Sequence, residues 1–192
     1  MINLNDERFE EREFKIFNGG EAGVVKGCSV RVEKKTANDV ENAPDYKLFV
    51  VDETGAELNK GYFKDNLNDM SDKQEQFFVR EMKHLSKVFK VDDKMPAQVA
   101  SYEELMDVTM KLCNKNQANV KVNVAVCYGN VDYPRRFLEI DGFWGIQNVE
   151  DGVPRLGKKA LTERPAPDSD GPDIQIGGGS EDTGGVADGW TA

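Results

Sequence analysis

Apolar residues recur at every second position over several short stretches of the chain, and at every third or fourth position over two longer ones. The first spacing predicts strands and the second predicts amphipathic helices. Residues 12–18 (REFKIFN) predict a short strand stopped by Asn18-Gly19-Gly20. Residues 22–35 alternate strongly, with Val24, Cys28, Val30 and Val32 on one face and Arg31, Glu33 and Lys35 on the other. Gly23 and Gly27 predict a bend or bulge there, which a curling sheet requires. Beyond a polar link, TANDVENAPD, come a strand over 46–52, a turn at Glu53-Thr54-Gly55-Ala56, and a returning strand over 57–64.

The helical period then takes over. Ser71-Asp72-Lys73-Gln74 is a capping box, and Phe78, Met82, Leu85 and Phe89 follow at steps of four and three. Ser101-Tyr102-Glu103-Glu104 is a second box leading into Leu105, Val108 and Leu112, with Pro96 between the helices. The two-residue period returns in NVKVNVAVCYG. There Val120, Val122, Val124, Val126 and Tyr128 share one face, while Lys121, Asn123, Ala125 and Cys127 share the other. A turn, GNVDYP, leads to RRFLEIDGFWGI, in which Leu138 and Ile140 oppose Arg135, Phe137 and Glu139. Four strands, two helices and two strands make a mostly β fold. The expected architecture is an OB-fold-like antiparallel β-barrel with two helices inserted before the last hairpin.

Charge divides the chain in two. The 192 residues carry 35 acidic and 25 basic side chains, a net charge of −10. From Leu161 onward stand seven acidic residues (Glu163, Asp168, Asp170, Asp173, Glu181, Asp182, Asp188) and one basic residue, Arg164, a net of −6. Residues 1–160 therefore keep −4. The acidic stretch is rich in glycine and proline and poor in apolar residues, so it cannot offset its ordering entropy by burial. The expectation is a binding domain over 1–160 and a flexible acidic tail over 161–192. Trp190 interrupts the tail's polarity, either as an accident of a solvated segment or as an anchor that its acidic flanks steer to a basic partner.

The candidate chemistry narrows further. Three cysteines (Cys28, Cys113, Cys127) in no C-x-x-C spacing fit a reducing compartment. A lone histidine, His84, excludes sites that need two imidazoles and reads as a surface or hydrogen-bonded ring. Neither nucleotide-binding loops nor hydrolase or metalloprotease motifs occur, so the expectation is a non-enzyme without metal or cofactor. No apolar run is long enough for a membrane span, and the start of the chain lacks the basic-then-apolar order of a secretion leader.

Binding is the better prospect. Lys121 and Asn123, on the outward face of one strand of the last hairpin, stand beside Arg135 and Phe137 on the next, with Tyr133 and Arg136 at the strand entry. Lys47, Phe49, Lys60, Tyr62, Phe63 and Lys64 repeat the mixture, and Lys26, Arg31, Lys34 and Lys35 add charge. Rings stack on unpaired bases while cations follow the phosphates, which is what single-stranded nucleic acid requires. The competing assignment makes Phe49, Phe63 and Phe137 a second core layer beneath the helices.

The stretches FKIFNGGEAG, APDYKLFVVDETGAELNKGYF and CYGNVDYPRRFLEI, with a β-barrel before an acidic Gly/Pro-rich tail, resemble the single-stranded DNA-binding proteins encoded by bacteriophages. The resemblance implies coating of single-stranded DNA during replication, recombination and repair in the cytoplasm of an infected host. It also implies a tail (Asp168, Asp170, Asp173, Glu181, Asp182, Asp188, Trp190) that recruits a polymerase, helicase or primase, and allows a homo-oligomer. Such tails commonly finish on a terminal aromatic, whereas this one reads Asp-Gly-Trp-Thr-Ala. Two alternatives stay open: a virion structural or decoration protein whose barrel and tail pack against neighbours, and a recombination mediator that binds a protein partner first.

Overall fold

The computed structural model describes residues 15–165. Its strands and long helices are β1 (Gly23–Lys34), β2 (Tyr46–Val51), β3 (Glu57–Tyr62), α1 (Asp72–Val88), α2 (Tyr102–Asn116), β4 (Lys121–Asn130), β5 (Tyr133–Ile140) and β6 (Ile146–Asn148). The strands form one antiparallel sheet in the order β3-β2-β1-β4-β5, with β6 also on β4. The sheet curls into a half-barrel. Its outer strands, β3 and β5, face each other across a cleft of about 580 Å³.

Both helices cover one sheet face. Alternate residues Val30, Val32, Leu48, Val50, Val122, Val124 and Val126 meet Met82, Leu85, Phe89, Met106 and Met110 in one core. The helices start where their caps predict: Ser71 and Gln74 complete the first box, and the Ser101 hydroxyl accepts from the Glu104 amide at 3.1 Å. Asparagines close the other end of α1, where Asn148 donates to the Val88 carbonyl (2.9 Å) and Asn116 to that of Phe89 (2.7 Å). Gln117 and Asn114 satisfy the amide and carbonyl of Val32, beyond the point where β1 leaves β4.

Four expectations need correction. The strand expected over 12–18, of which 12–14 lie outside the described residues, is a 3-10 turn at Phe17–Gly20. It buries Phe17 and is held by the Asn18 amide on Asp52 Oδ2 (2.8 Å). Three strands, therefore, precede the helices among the described residues. Val24 does not face the core. The ladder slips between Val25 and Cys28, where Gly27 sits at φ +71°, so Val25 takes the inward position and Val24 is exposed. The outer face of β4 is not solvated either, since Asn123, Ala125 and Cys127 are all buried. Finally, β5 does not end the sheet. The ladder resumes as β6 after an excursion over 141–145, whose ends stay tied to Ala125 through Asp141 N and Gly145 O.

Contacts also pass the boundary drawn at residue 160. Leu161 exchanges backbone bonds with Tyr128 and Gly129 at 2.9 and 3.0 Å, and Arg164 Nε donates to the Arg136 carbonyl at 3.1 Å. The tail residues Asp168, Asp170, Asp173, Glu181, Asp182, Asp188 and Trp190 lie outside the described residues. Among the described residues no helix is long and apolar enough to cross a membrane.

Candidate nucleic-acid interface

The thirteen side chains expected to meet nucleic acid separate into distinct groups. Tyr133, Arg135, Arg136 and Phe137 stand together on a projecting arm. Between the pairs Cys127↔Glu139 and Gly129↔Pro134, β4 spends a single residue while β5 spends four, residues 135–138. The surplus arches off the ladder. Gly129 makes the arch possible at φ +74°, because a Cβ there would lie 2.3 Å from the Tyr133 carbonyl oxygen and 2.9 Å from Arg135 Cγ. Tyr133 is 71% and Phe137 69% exposed, so neither ring belongs to a second core layer. Arg135 reaches Glu139 only at 3.9 Å, an exposed contact worth little.

A second group lies on the helix-free face. Arg31, Lys47, Phe49 and Lys121 alternate with core residues along β1, β2 and β4, and register places Phe49 between Arg31 and Asn59. Phe49 is half-buried, and its cover is the Arg31 guanidinium, 4.4 Å from the ring centre, rather than a helix. Arg31 also contacts Glu33 at 2.6 Å and Glu57 at 3.0 Å, so its charge is largely spent within the sheet. Lys121 donates to the Ser29 hydroxyl at 2.7 Å. Asn59, Cys127 and Glu139 carry this face into the cleft between β3 and β5.

The remaining five point elsewhere. Lys60 and Tyr62 both donate to Glu81 of α1, at 2.6 and 2.8 Å. Lys64 and Tyr46 both donate to Asp107 of α2, at 2.8 Å each. Each helix thus supplies one carboxylate that takes one lysine and one tyrosine, all from β2 and β3 except Lys64, which follows β3. This is why basic and aromatic residues recur together in these strands, and it removes Lys60, Tyr62 and Lys64 from the sheet's outer surface. Tyr62 is 7% exposed, and burial followed by the Glu81 charge pushes its phenol well above the ordinary range. Lys34 lies on the helix side with its ammonium 5.9 Å from the Tyr46 ring, and Lys35 bonds the Glu41 carbonyl in the following loop.

One aromatic group lies outside the set expected from the sequence. Phe143 and Trp144, in the excursion between β5 and β6, pack on His84 and Phe77 of α1. The signal was present in Asp-Gly-Phe-Trp-Gly, two adjacent rings between glycines where the alternation breaks off. His84 itself is half-buried and donates from Nε2 to the Ile146 carbonyl at 2.7 Å. Burial, chiefly, pushes its imidazole below the ordinary range, which leaves it neutral at physiological pH. Among the described residues no group of three or more metal-ligating side chains occurs. No family model, curated protein or solved structure matches the chain.

Proposed function

We propose that this chain binds single-stranded DNA without sequence preference, as the coating protein of a bacteriophage-type replication, recombination and repair system. In this reading the half-barrel acts as an OB-like platform, and residues 161–192 recruit replication proteins. The observation that carries it is the β5 arm, where Tyr133, Arg135, Arg136 and Phe137 project together beside the cleft. Exposed rings are costly to keep in water and useful to unpaired bases, whose stacking is sequence-tolerant. The helix-free face around Phe49, Lys47 and Lys121 extends the track. Arg31 serves there chiefly as the cover of Phe49.

A fluorescence titration with single-stranded and duplex oligonucleotides at two ionic strengths tests the proposal. Unrelated single strands should bind with similar affinity, duplex should bind weakly, and affinity should fall by about 0.7 logarithmic units per phosphate contact for each tenfold rise in salt. Phe137→Ala should cost about 1–3 kcal/mol, or roughly 5- to 150-fold in affinity. Unchanged affinity in both Phe137→Ala and Arg135→Ala would remove the arm from the interface. A protein that ignored oligonucleotides altogether and co-purified in particles at fixed stoichiometry would be a virion component instead.

A further inference from the structure

The flank of α1 that turns from the core carries a second set of cations and rings. Steps of three and four residues put Phe77, Arg80, His84 and Lys87 in one stripe, with Lys83 beside it. Phe143 lies buried against this stripe, its ring edge-on to Phe77 and His84 with centres 6.4 and 5.9 Å away. Trp144 sits above it, 4.6 Å from His84 and 4.3 Å from Phe143 between ring centres, and is 57% exposed. Arg80, Lys83, His84, Lys87 and Trp144 thus line an open pocket of about 210 Å³. Its floor is ring and aliphatic stem, and its rim is cationic. Among the described residues Arg80, Lys83 and Lys87 form no ion pair. The carboxylates whose charge acts on His84 are Glu81, already held by Lys60, and Asp151.

We propose that this pocket docks the C-terminal segment of the same molecule, residues 166–192, with the Trp190 indole on the floor and Asp182 and Asp188 at the rim. The segment carries six carboxylates (Asp168, Asp170, Asp173, Glu181, Asp182, Asp188), no lysine or arginine, and one aromatic residue. Its charge is opposite to that of the rim, and its single ring matches a site that holds one side chain. At 210 Å³ the pocket is below the roughly 300–1,000 Å³ of sites for drug-sized ligands. Reach is no obstacle, because the 25 residues from Pro165 to Trp190 extend to about 80 Å, twice the breadth of a domain this size. Tethering supplies an effective concentration on the order of millimolar, so a weak contact fills the pocket. Docking there would keep the anionic segment on the helix side of the sheet, away from the β5 arm.

The chain provides its own reporters, since His84 is its one histidine and Trp144 and Trp190 are its two tryptophans. The experiment is NMR of the His84 ring and both indole N–H groups in the full chain, without nucleic acid. Trp190→Ala should shift the His84 and Trp144 signals. Lys83→Glu, at an exposed position, should shift the Trp190 signal, and high salt should reproduce that change in the wild type. If Trp190→Ala leaves His84 and Trp144 where they are in the wild type, the proposal is wrong. It is equally wrong if those two signals respond only to added oligo(dT), which would make the pocket a nucleic-acid contact. Because the tail variants are read without oligonucleotide, this test can fail while DNA binding stands, and the reverse.

Discussion

Replacing Gly129 by alanine separates two costs that a turn glycine usually confounds. At φ +74° any L-residue incurs about 1–2 kcal/mol of left-handed strain, partly offset by about 0.4–1 kcal/mol from a stiffer unfolded chain. Gly142, at φ +62°, incurs the same cost, and nothing lies within 4 Å of its would-be Cβ. Gly142→Ala should therefore lose only about 0.5–1 kcal/mol. At Gly129 the new methyl meets the Tyr133 carbonyl at 2.3 Å and the Arg135 amide at 3.1 Å. Both neighbours are backbone atoms of the hairpin, so relief requires the ladder at Gly129↔Pro134 and Asn130↔Tyr133 to open. Overpacking of that kind adds about 1–3 kcal/mol, bringing Gly129→Ala to about 2–4 kcal/mol. For a domain of this size each kcal/mol lowers Tm by about 2–4 °C. Thermal melting should accordingly show a fall of about 1–4 °C for Gly142→Ala and roughly four times that for Gly129→Ala. Oligonucleotide affinity should drop for Gly129→Ala alone, because that residue sets the arch carrying Arg135 and Phe137. Equal melting shifts in the two variants would refute the assignment of Gly129 as the close-approach glycine of the arm.

Burial would push the Asp52 carboxyl up, but the Thr54 hydroxyl and the amides of Asn18, Ala56 and Thr54 outweigh it and hold it below the ordinary range. A depressed folded-state pKa contributes stability above about pH 4 that is lost as pH falls further, so urea midpoints should decline on acidification less steeply in Asp52→Asn than in the wild type. Burial likewise pushes the thiols of Cys28, Cys113 and Cys127 up to about 11, 12 and 11. A thiol-reactive dye should label none of them quickly in the native protein and all three after unfolding. Phe89→Ala, at a fully buried ring, should cost about 3–5 kcal/mol in denaturant melts, and a loss below about 1 kcal/mol would contradict its place in the core.

The sequence alone determined what depends on neighbours along the chain. The period of two in residues 120–128, the period of three to four after Ser71 and Ser101, and the turn at Glu53–Ala56 each express a local preference, and these elements form within a few residues of their predicted bounds. The tertiary structure decided which face of each strand meets what. Tyr62 and Phe137 belong to equally basic and aromatic strands, yet one bonds Glu81 in the core and the other stands in water. Glu81 lies nineteen residues from Tyr62 and Asp107 sixty-one from Tyr46, and no spacing rule links such partners. A ladder slip near Gly27 exchanged Val24 for Val25, and a second at Gly129 built the arm, because a strand's faces exchange with each residue gained or lost. Asn123, Ala125 and Cys127 look solvated by alternation and are buried, since the alternation says that a second face exists but not what will cover it.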